Sequence, residues 1–373
     1  MTNGLELCSG TGQQRGVLTL GEIRQQPDLW PTTLERATDR SLQSVVRERA
    51  AVICGAGTSA YAASAVAAGW THALAIPTTD LLLYSKQEFL RLMPSFAVNG
   101  MVVSLARSGE SPESIGVITR FQRMFPGARH LAITCNQDGQ LARFHGITSI
   151  VLDPRTNDRG LAMTSSFSNL VLAGLGIAAG GVLAKRLPHI VDRVKHALPG
   201  FEMAAQRLAS RKPSRIMVLT FADLAPLGRE ACLKILEMTA GRITAFPETF
   251  LGLRHGPMSF LRPDSLVLCV LSSNADRRRY EEDLLRELRQ KNLGHLIIVA
   301  PPTTASDLAH DFIPAVAPDL PDRLRVPFEI VFPQLLAYYL SLASDLDPDN
   351  PSPDGVISRV VQGFQLHEGS DIS

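Results

Sequence analysis

The sequence predicts an α/β protein of two tandem domains, each a parallel sheet flanked by helices in three layers, and three observations carry that prediction. At 373 residues the chain is longer than one hydrophobic core ordinarily supports. From Ala51 onward, short β-branched runs alternate with segments of helical periodicity, the pattern of parallel strands joined by crossover helices. The alternation then restarts beyond Lys212, so the two halves share a layout, though not a visible sequence repeat.

Residues 1–45 read as a helical extension ahead of the first domain, 46–195, which opens with strand AVIC at 51–54 and an alanine-rich helix. MVVSL at 101–105 precedes a helix through Arg120, and HLAITC at 130–135 and TSIVL at 148–152 complete the first set. The stretch 166–184 carries no charge over nearly the length that crosses a bilayer. It also holds Ser166, Ser168, Asn169 and four glycines, which favours a buried central helix. Basic residues at helical spacing from Leu187 through Lys212 mark a connecting helix. The second domain, 196–345, repeats the pattern with RIMVLTF at 215–221, SLVLCVLS at 265–272 and HLIIVA at 295–300, separated by helices such as 281–290. A tail, 346–373, is dense in Pro and Asp where it begins and is therefore irregular.

Hydrophobic residues at 45% and charged residues at 20% fit a globular chain. A net charge of +1, from 37 basic and 36 acidic side chains, leaves no footprint for nucleic acid. Of the cysteines Cys8, Cys54, Cys135, Cys232 and Cys269, three lie inside apolar runs, which points to buried thiols in a reducing compartment. The N-terminus lacks the basic start and apolar core of a signal peptide, so a cytoplasmic protein is expected. No Cys/His spacing suits a metal, and neither metal nor cofactor is expected.

Strand AVIC runs into Gly55, Ala56, Gly57, Thr58 and Ser59. Glycines there let the backbone turn tightly while its amides and a helix N-terminus face an anion. The same residues fit a dinucleotide fingerprint, with Thr79-Asp80 about where a ribose-binding acid would sit, and they equally fit a plain helix cap. A second strand-to-helix turn, Arg107, Ser108, Gly109, Glu110 and Ser111, crowds hydroxyls and a guanidinium at the same sheet edge, where open α/β folds bind ligands. A dinucleotide leaves this second cluster unexplained, whereas a compact phosphate dianion uses both.

In the second half, Glu230, Lys234 and Glu237 fall at i, i+4 and i+7 on one helix face. Such spacing also describes a solvated ion-pair face. His255, between Gly252 and Pro257, sits in a loop free of strand hydrogen bonding, and an imidazole both accepts and releases protons near neutrality. A histidine in a loop is equally compatible with a structural or surface role.

Taken together, EIRQQPDLW (22–30), GAGTSAYA (55–62), PTTD (77–80), SLARSGESPES (104–114), AITCN (132–136), TNDRGLAMTSSFS (156–168), GREACLKILEMTAG (228–241), LGLRHGP (251–257) and DPDNPSP (347–353) resemble the double sugar-isomerase (SIS) family over almost the whole chain. Two of its members are the isomerase domain of glucosamine-6-phosphate synthase and the AgaS-type galactosamine-6-phosphate deaminase/isomerases. ARSGESPES, the TNDR-to-MTSSFS block and GLRHGP point to the AgaS-type subgroup. The resemblance implies two flavodoxin-like SIS domains and a small-molecule sugar phosphate as ligand. It places phosphate binding at Ser59, Ser108 and Ser111, with Gly57 and Thr58 in the first loop and Arg107 where the synthase has glutamine. It makes Glu237 the proton shuttle between C1 and C2, His255 the ring-opening group and Lys234 a nearby lysine of the site. Thr164 and Ser165 line the sugar side in a looser alignment.

Two departures stand out. Where the synthase carries a lysine that forms an imine with the ketose, the nearest residue here is Arg359, which cannot be deprotonated to attack a carbonyl. Thr2, rather than cysteine, follows Met1, so no internal ammonia source is expected, and ammonia release is favoured over amination. The implied activity is an amino-sugar 6-phosphate deaminase/isomerase. The alternatives are an aldose-ketose isomerase acting on a hydroxy sugar such as tagatose 6-phosphate, a non-catalytic sugar-phosphate-binding protein, or an NAD enzyme. The synthase's ring-opening histidine enters from a neighbouring subunit, so a homodimer with shared sites is also implied.

Overall fold

The computed structural model describes residues 15–39, 42, 46, 49–302, 304, 306–352, 354–360 and 365–367. Cys8 and the N-terminal stretch read above for targeting lie outside them. The first half holds strands β1 (Ala50–Cys54), β2 (Ala73–Ala75), β3 (Gly100–Ala106), β4 (Arg129–Thr134) and β5 (Thr148–Val151), all parallel, in the order β2-β1-β3-β4-β5. The second holds β6 (Arg215–Thr220), β7 (Thr244–Thr249), β8 (Leu266–Val270), β9 (His295–Ala300) and β10 (Asp311–Pro314), again parallel, in the order β10-β9-β8-β6-β7. Read from the other edge, the second order is the first, strand for strand.

β1, β3, β6 and β8 are buried along their whole length, apart from half-buried Arg215 at the start of β6. Helices cover both faces, as apolar strands without alternation require. The principal ones are α1 (Val17–Ala37), α2 (Thr58–Gly69), α3 (Pro112–Met124), α4 (Ser165–Ala209), α5 (Ala225–Met238), α6 (Ala275–Gln290) and α7 (Val331–Ala343).

The chain does not break between the two halves. α4 runs from the first sheet to the second and crosses the 195/196 boundary drawn from sequence, with one non-helical residue, Ala179, at its kink. Its apolar start lies in the protein core with α1 packed along it. Trp30 Nε1 donates to Ser168 Oγ at 3.1 Å and Thr33 Oγ1 to Asn169 Oδ1 at 2.6 Å. These are the polar side chains that set 166–184 apart from a bilayer span, and α1 supplies their partners. α4 and the 326–343 segment are long and apolar enough to cross a membrane, and both are mostly buried within the protein.

The irregular tail performs a defined task at the opposite end of α1. Asp347 accepts the Gly16 N–H at 2.9 Å, and the two carboxylate oxygens of Asp349 accept Leu18 N–H at 3.1 Å and Thr19 N–H at 2.8 Å. Carboxylates at a helix N-terminus satisfy amides that have no intrahelical acceptor.

Candidate active site

β1 and β3 are neighbours with Cys54 opposite Ser104, so the two loops singled out in the sequence leave the same edge of the first sheet. In the first loop Gly57 adopts φ +56°, ψ −128°, open only to glycine, and a Cβ on Gly55 would meet the Ser59 carbonyl at 2.4 Å. This backbone starts α2 with Thr58 and Ser59 both buried; the Ser59 and Ala60 N–H groups close the turn on the carbonyls of Ala56 and Gly57, at 3.0 and 2.9 Å. Ser59 Oγ lies 4.0 Å from Met163 Sδ.

α5 brings the second half onto this loop. Lys234 is 0% exposed, and its Nζ donates to Thr58 Oγ1 at 3.0 Å and pairs with Glu237 Oε2. Nζ also lies 3.4 Å from Glu230 Oε1, which accepts from Thr58 Oγ1 at 3.4 Å. The solvated ion-pair face is therefore excluded for Glu230 and Lys234, both fully buried, while Glu237 keeps 23% exposure. Burial, opposed by Lys234 and reinforced by the charge of Glu237, pushes the Glu230 carboxyl up to about 8. Its second oxygen has no partner among the described residues. For Lys234 burial works against the charge, yet Glu230 and Glu237 prevail and raise it above the ordinary lysine value. The outcome is a charged ammonium held at the glycine loop with one carboxylate open to the cleft.

The second loop is more committed to its own scaffold than its composition suggests. Ser111 Oγ donates to Glu113 at the start of α3, and Ser108 Oγ accepts the Glu110 N–H at 3.3 Å. Arg107 is buried, and its guanidinium donates to the carbonyls of Leu161 at 2.9 Å, Gly160 at 3.4 Å and Arg359 at 2.8 Å. Burial lowers its pKa from the usual arginine value. Sequence reasoning made Arg107 a phosphate donor, whereas the structure has it tying the 157–164 loop and the C-terminal tail to β3. Part of its donor capacity remains for a ligand.

Thr164 and Ser165 are fully buried, and the Asp158 carboxylate occupies their backbone. It accepts the N–H groups of Thr164, Ser165 and Ser166 at 2.8, 3.0 and 2.9 Å, together with the Thr164 hydroxyl at 3.2 Å, and so caps α4. Ser165 Oγ accepts from Gln25 at 3.4 Å. Glu22 of α1 accepts the Arg159 and Gly160 N–H groups from below. Burial, with the charge of Asp158, pushes Glu22 up to about 7. Asp158 and Glu22 went unnoticed in the sequence. The one signal was an acidic residue shortly ahead of a Ser/Thr-rich helix start, and for Glu22 there was none.

His255 ends the Gly252–His255 3₁₀ turn that follows β7, and it is exposed. Among the described residues, no hydrogen bond or ion pair joins it to the Lys234 cluster of its own chain. Arg359 donates to Asn157 Oδ1 at 2.8 Å and to the Asp158 carbonyl, so it braces the 157–164 loop. No group of three or more His, Cys, Asp or Glu suited to a metal occurs among the described residues.

Two parallel sheets of one topology, with a basic-acidic helix of the second half set against a glycine loop of the first, make this a protein of the double-SIS class of phosphosugar enzymes. The D-galactosamine-6-phosphate deaminase AgaS of Shewanella sp. strain ANA-3 is 32% identical, covering 94% of this chain and 91% of its own. The D-galactosamine-6-phosphate deaminase AgaS of Escherichia coli is also 32% identical, over 94% and 96%. The chain belongs to the AgaS family of sugar-phosphate deaminase/isomerases. Tagatose-6-phosphate ketose/aldose isomerase from Escherichia coli superposes with a TM-score of 0.81 at 28% identity, covering 95% of this chain and 97% of that one. The C-terminal domain of glucosamine-fructose-6-phosphate aminotransferase from Francisella tularensis, with a TM-score of 0.74 at 17% identity over 91% of this chain and 99% of that one, shares the fold. No protein-family model matches the chain.

Proposed function

We propose that this chain converts an amino-sugar 6-phosphate, D-galactosamine 6-phosphate before its gluco epimer, into ketose 6-phosphate and ammonia in the cytoplasm. The observation that carries the proposal is the Lys234–Glu237 pair delivered to Thr58 at the mouth of the glycine loop. A base beside an anion-binding turn is what enolisation next to a phosphate-anchored carbonyl requires. The names of its relatives supply the amino sugar.

In this mechanism the amides of Gly57 and Thr58, with the hydroxyls of Ser59, Ser108 and Ser111, anchor the phosphate, and Arg107 keeps the second loop in place. His255 moves a proton from the C1 hydroxyl to the ring oxygen, which opens the pyranose. Glu237 takes the C2 proton and returns it to C1, while O1 gains a proton and the amine nitrogen gives one up, so the C1 aldehyde becomes a hydroxymethyl group and the C2 amine an imine. Lys234 stabilises the oxygen at C1 as charge develops. Water then adds at C2 and ammonia leaves, which balances amino aldose plus water against ketose plus ammonia.

His255 is exposed and makes no hydrogen bond or ion pair among the described residues, which supports a homodimer in which it serves the partner's site. Exposed Leu236, Phe246 and Leu251 flank the same edge strand, β7, and supply an apolar face for a second copy. Four buried free thiols, Cys54, Cys135, Cys232 and Cys269, suit a reducing compartment.

The test is ammonia release from a panel of 2-amino and 2-hydroxy aldose 6-phosphates and their ketoses. Release from galactosamine 6-phosphate is expected. Interconversion of hydroxy sugars with no ammonia from any amine would replace the proposal by the isomerase reading, which the tagatose-6-phosphate isomerase likeness favours. Phosphate-dependent binding without turnover of any sugar would leave a sensor.

A further inference from the structure

The two sheets share one strand order and are parallel throughout, so each loop of the first half has a counterpart in the second. Ala50 pairs with Gly100 across β1 and β3, and Ile216 with Leu266 across β6 and β8, the same spacing along the chain. The counterpart of the Arg107–Ser111 turn is thus the turn after β8, where Leu271 leads through Ser272, Ser273 and Asn274 into α6. It too carries hydroxyls and a helix N-terminus.

That turn is filled from within. Asp322, 2% exposed, comes from the segment after β10 and sets its carboxylate in the turn. Oδ1 accepts the Ser273 N–H at 2.7 Å, the Ser273 hydroxyl at 3.0 Å and Arg325 Nη1 at 3.0 Å. Oδ2 accepts the Ser272 hydroxyl and Arg277 Nη1 at 3.3 Å. Arg325 is fully buried and is held in turn by Glu329 and the Leu271 carbonyl. Two hydroxyls, a backbone amide and two guanidiniums converging on one anion form the donor set of an oxyanion site. Burial opposes ionisation of Asp322, but the bonds from Ser272 and Ser273 and the charge of Arg325 overcome it and hold the carboxyl below the ordinary value.

We infer that the second half retains an oxyanion cradle equivalent to the phosphate turn of the first, and that Asp322 is a built-in anion that closes it to ligands. Each chain then admits one sugar phosphate instead of two, and α5 of the closed half is left to supply acid-base chemistry to the open one. The equivalence rests on the phosphate reading of the first half, whereas the cradle itself does not.

The experiment is Asp322→Gly in the full chain, with bound inorganic phosphate counted per chain and thermal unfolding followed in phosphate, acetate and chloride at equal ionic strength. One phosphate more than wild type, and a melting temperature raised by phosphate and by acetate over chloride, is the expected result. Rescue by acetate alone would mark a socket for a carboxylate only and overturn the inference, as would no gain from either anion. If Asp322→Gly does not fold in chloride, refolding yield in phosphate replaces the melting curve, and no recovery there overturns it too. Wild type that binds no phosphate beside an Asp322→Gly chain that binds one would sink the phosphate reading of the first half while leaving the cradle standing.

Discussion

Glu237→Gln separates chemistry from architecture at this site, because the structure fixes what the substitution leaves behind. The amide keeps the shape and an acceptor for Lys234 Nζ, which stays paired with Glu230 and bonded to Thr58. Removing the Glu237 charge takes away one of the causes that raise Glu230, which favours an ionised Glu230 beside Lys234, so Lys234 escapes the fate of an unpaired buried charge, which costs about 3–5 kcal/mol. The loss of stability should be about 1 kcal/mol, that of one partly exposed charge-assisted bond reduced to a neutral one. Turnover should fall much further, by about 10² to 10⁴, which is about 3 to 5 kcal/mol on the barrier, since a positioned base contributes that much. Ammonia release, exchange of the C2 proton with deuterated solvent and thermal unfolding are measured on one preparation. Lost turnover with lost exchange, unchanged phosphate affinity and a nearly wild-type melting curve is expected. Exchange that persists near the wild-type rate would assign the C2 proton to another base.

Ser108→Ala should raise KM for the phosphorylated sugar by about tenfold and leave kcat within a few-fold, as loss of one ground-state donor does; equal loss with a non-phosphorylated sugar would count against Ser108 as an anchor. His255→Asn should depress turnover of the cyclic substrate while sparing an open-chain analogue, and mixing His255→Asn with Glu237→Gln chains should restore activity if sites are shared between subunits. No complementation in a mixed, exchanging dimer would keep His255 in its own chain. His130 on β4 is 6% exposed, both its ring nitrogens lack partners among the described residues, and burial pushes it down to about 4. The unfolded chain binds that proton near 6.5 and the folded one only near 4, so its contribution is present above 6.5 and lost as pH falls between the two. Stability should drop by about 2 kcal/mol between about pH 7 and about pH 5 through this group alone. His130→Leu should flatten that slope in urea titrations, and an unchanged slope would mean that His130 is not the group responsible.

The central strands were legible because burial on both faces leaves nothing but apolar, β-branched residues, as in Val52-Ile53 or Leu296–Val299. Of the four edge strands, β5 was legible as TSIVL and the other three were not. β2 has three half-buried residues, while β7 and β10 carry Pro247 and Pro314, which demote a run to irregular structure unless one side of the strand is known to be unpaired. The Lys234 face was legible as a spacing, but only the fold decides whether such a face meets water or Thr58. The scaffold bonds of Arg107 and Arg359 were not legible, for one reason. They go to backbone carbonyls far along the chain, and a carbonyl leaves no mark in a sequence, whereas Thr164 and Ser165 are held by the Asp158 carboxylate only six and seven residues before them.

The duplicated halves have divided the work between them, and the division explains why one loop is open and its counterpart closed. In the proposed mechanism the first sheet offers a dianion the backbone amides of Gly57 and Thr58 and the hydroxyls of Ser108 and Ser111, yet it contributes no base to the Lys234 cluster. α5 of the second half supplies that base and its lysine. A second phosphate at the β8 turn would have no such helix facing it, because α5 already points its polar residues at Thr58. With Asp322 in place, Arg277 and Arg325 are neutralised without a ligand, and the segment after β10 is pinned to the sheet edge. The same internal device recurs where α4 begins, with Asp158 as the acceptor for three amides. At α4 the Asp158 carboxylate occupies a helix start that a ligand anion would suit, whereas at α6 Asn274 caps the helix and Asp322 fills the turn just ahead of it. The proposed mechanism leaves the turn around Gly57 and the Arg107–Ser111 turn, the counterpart of the β8 turn, to the phosphate.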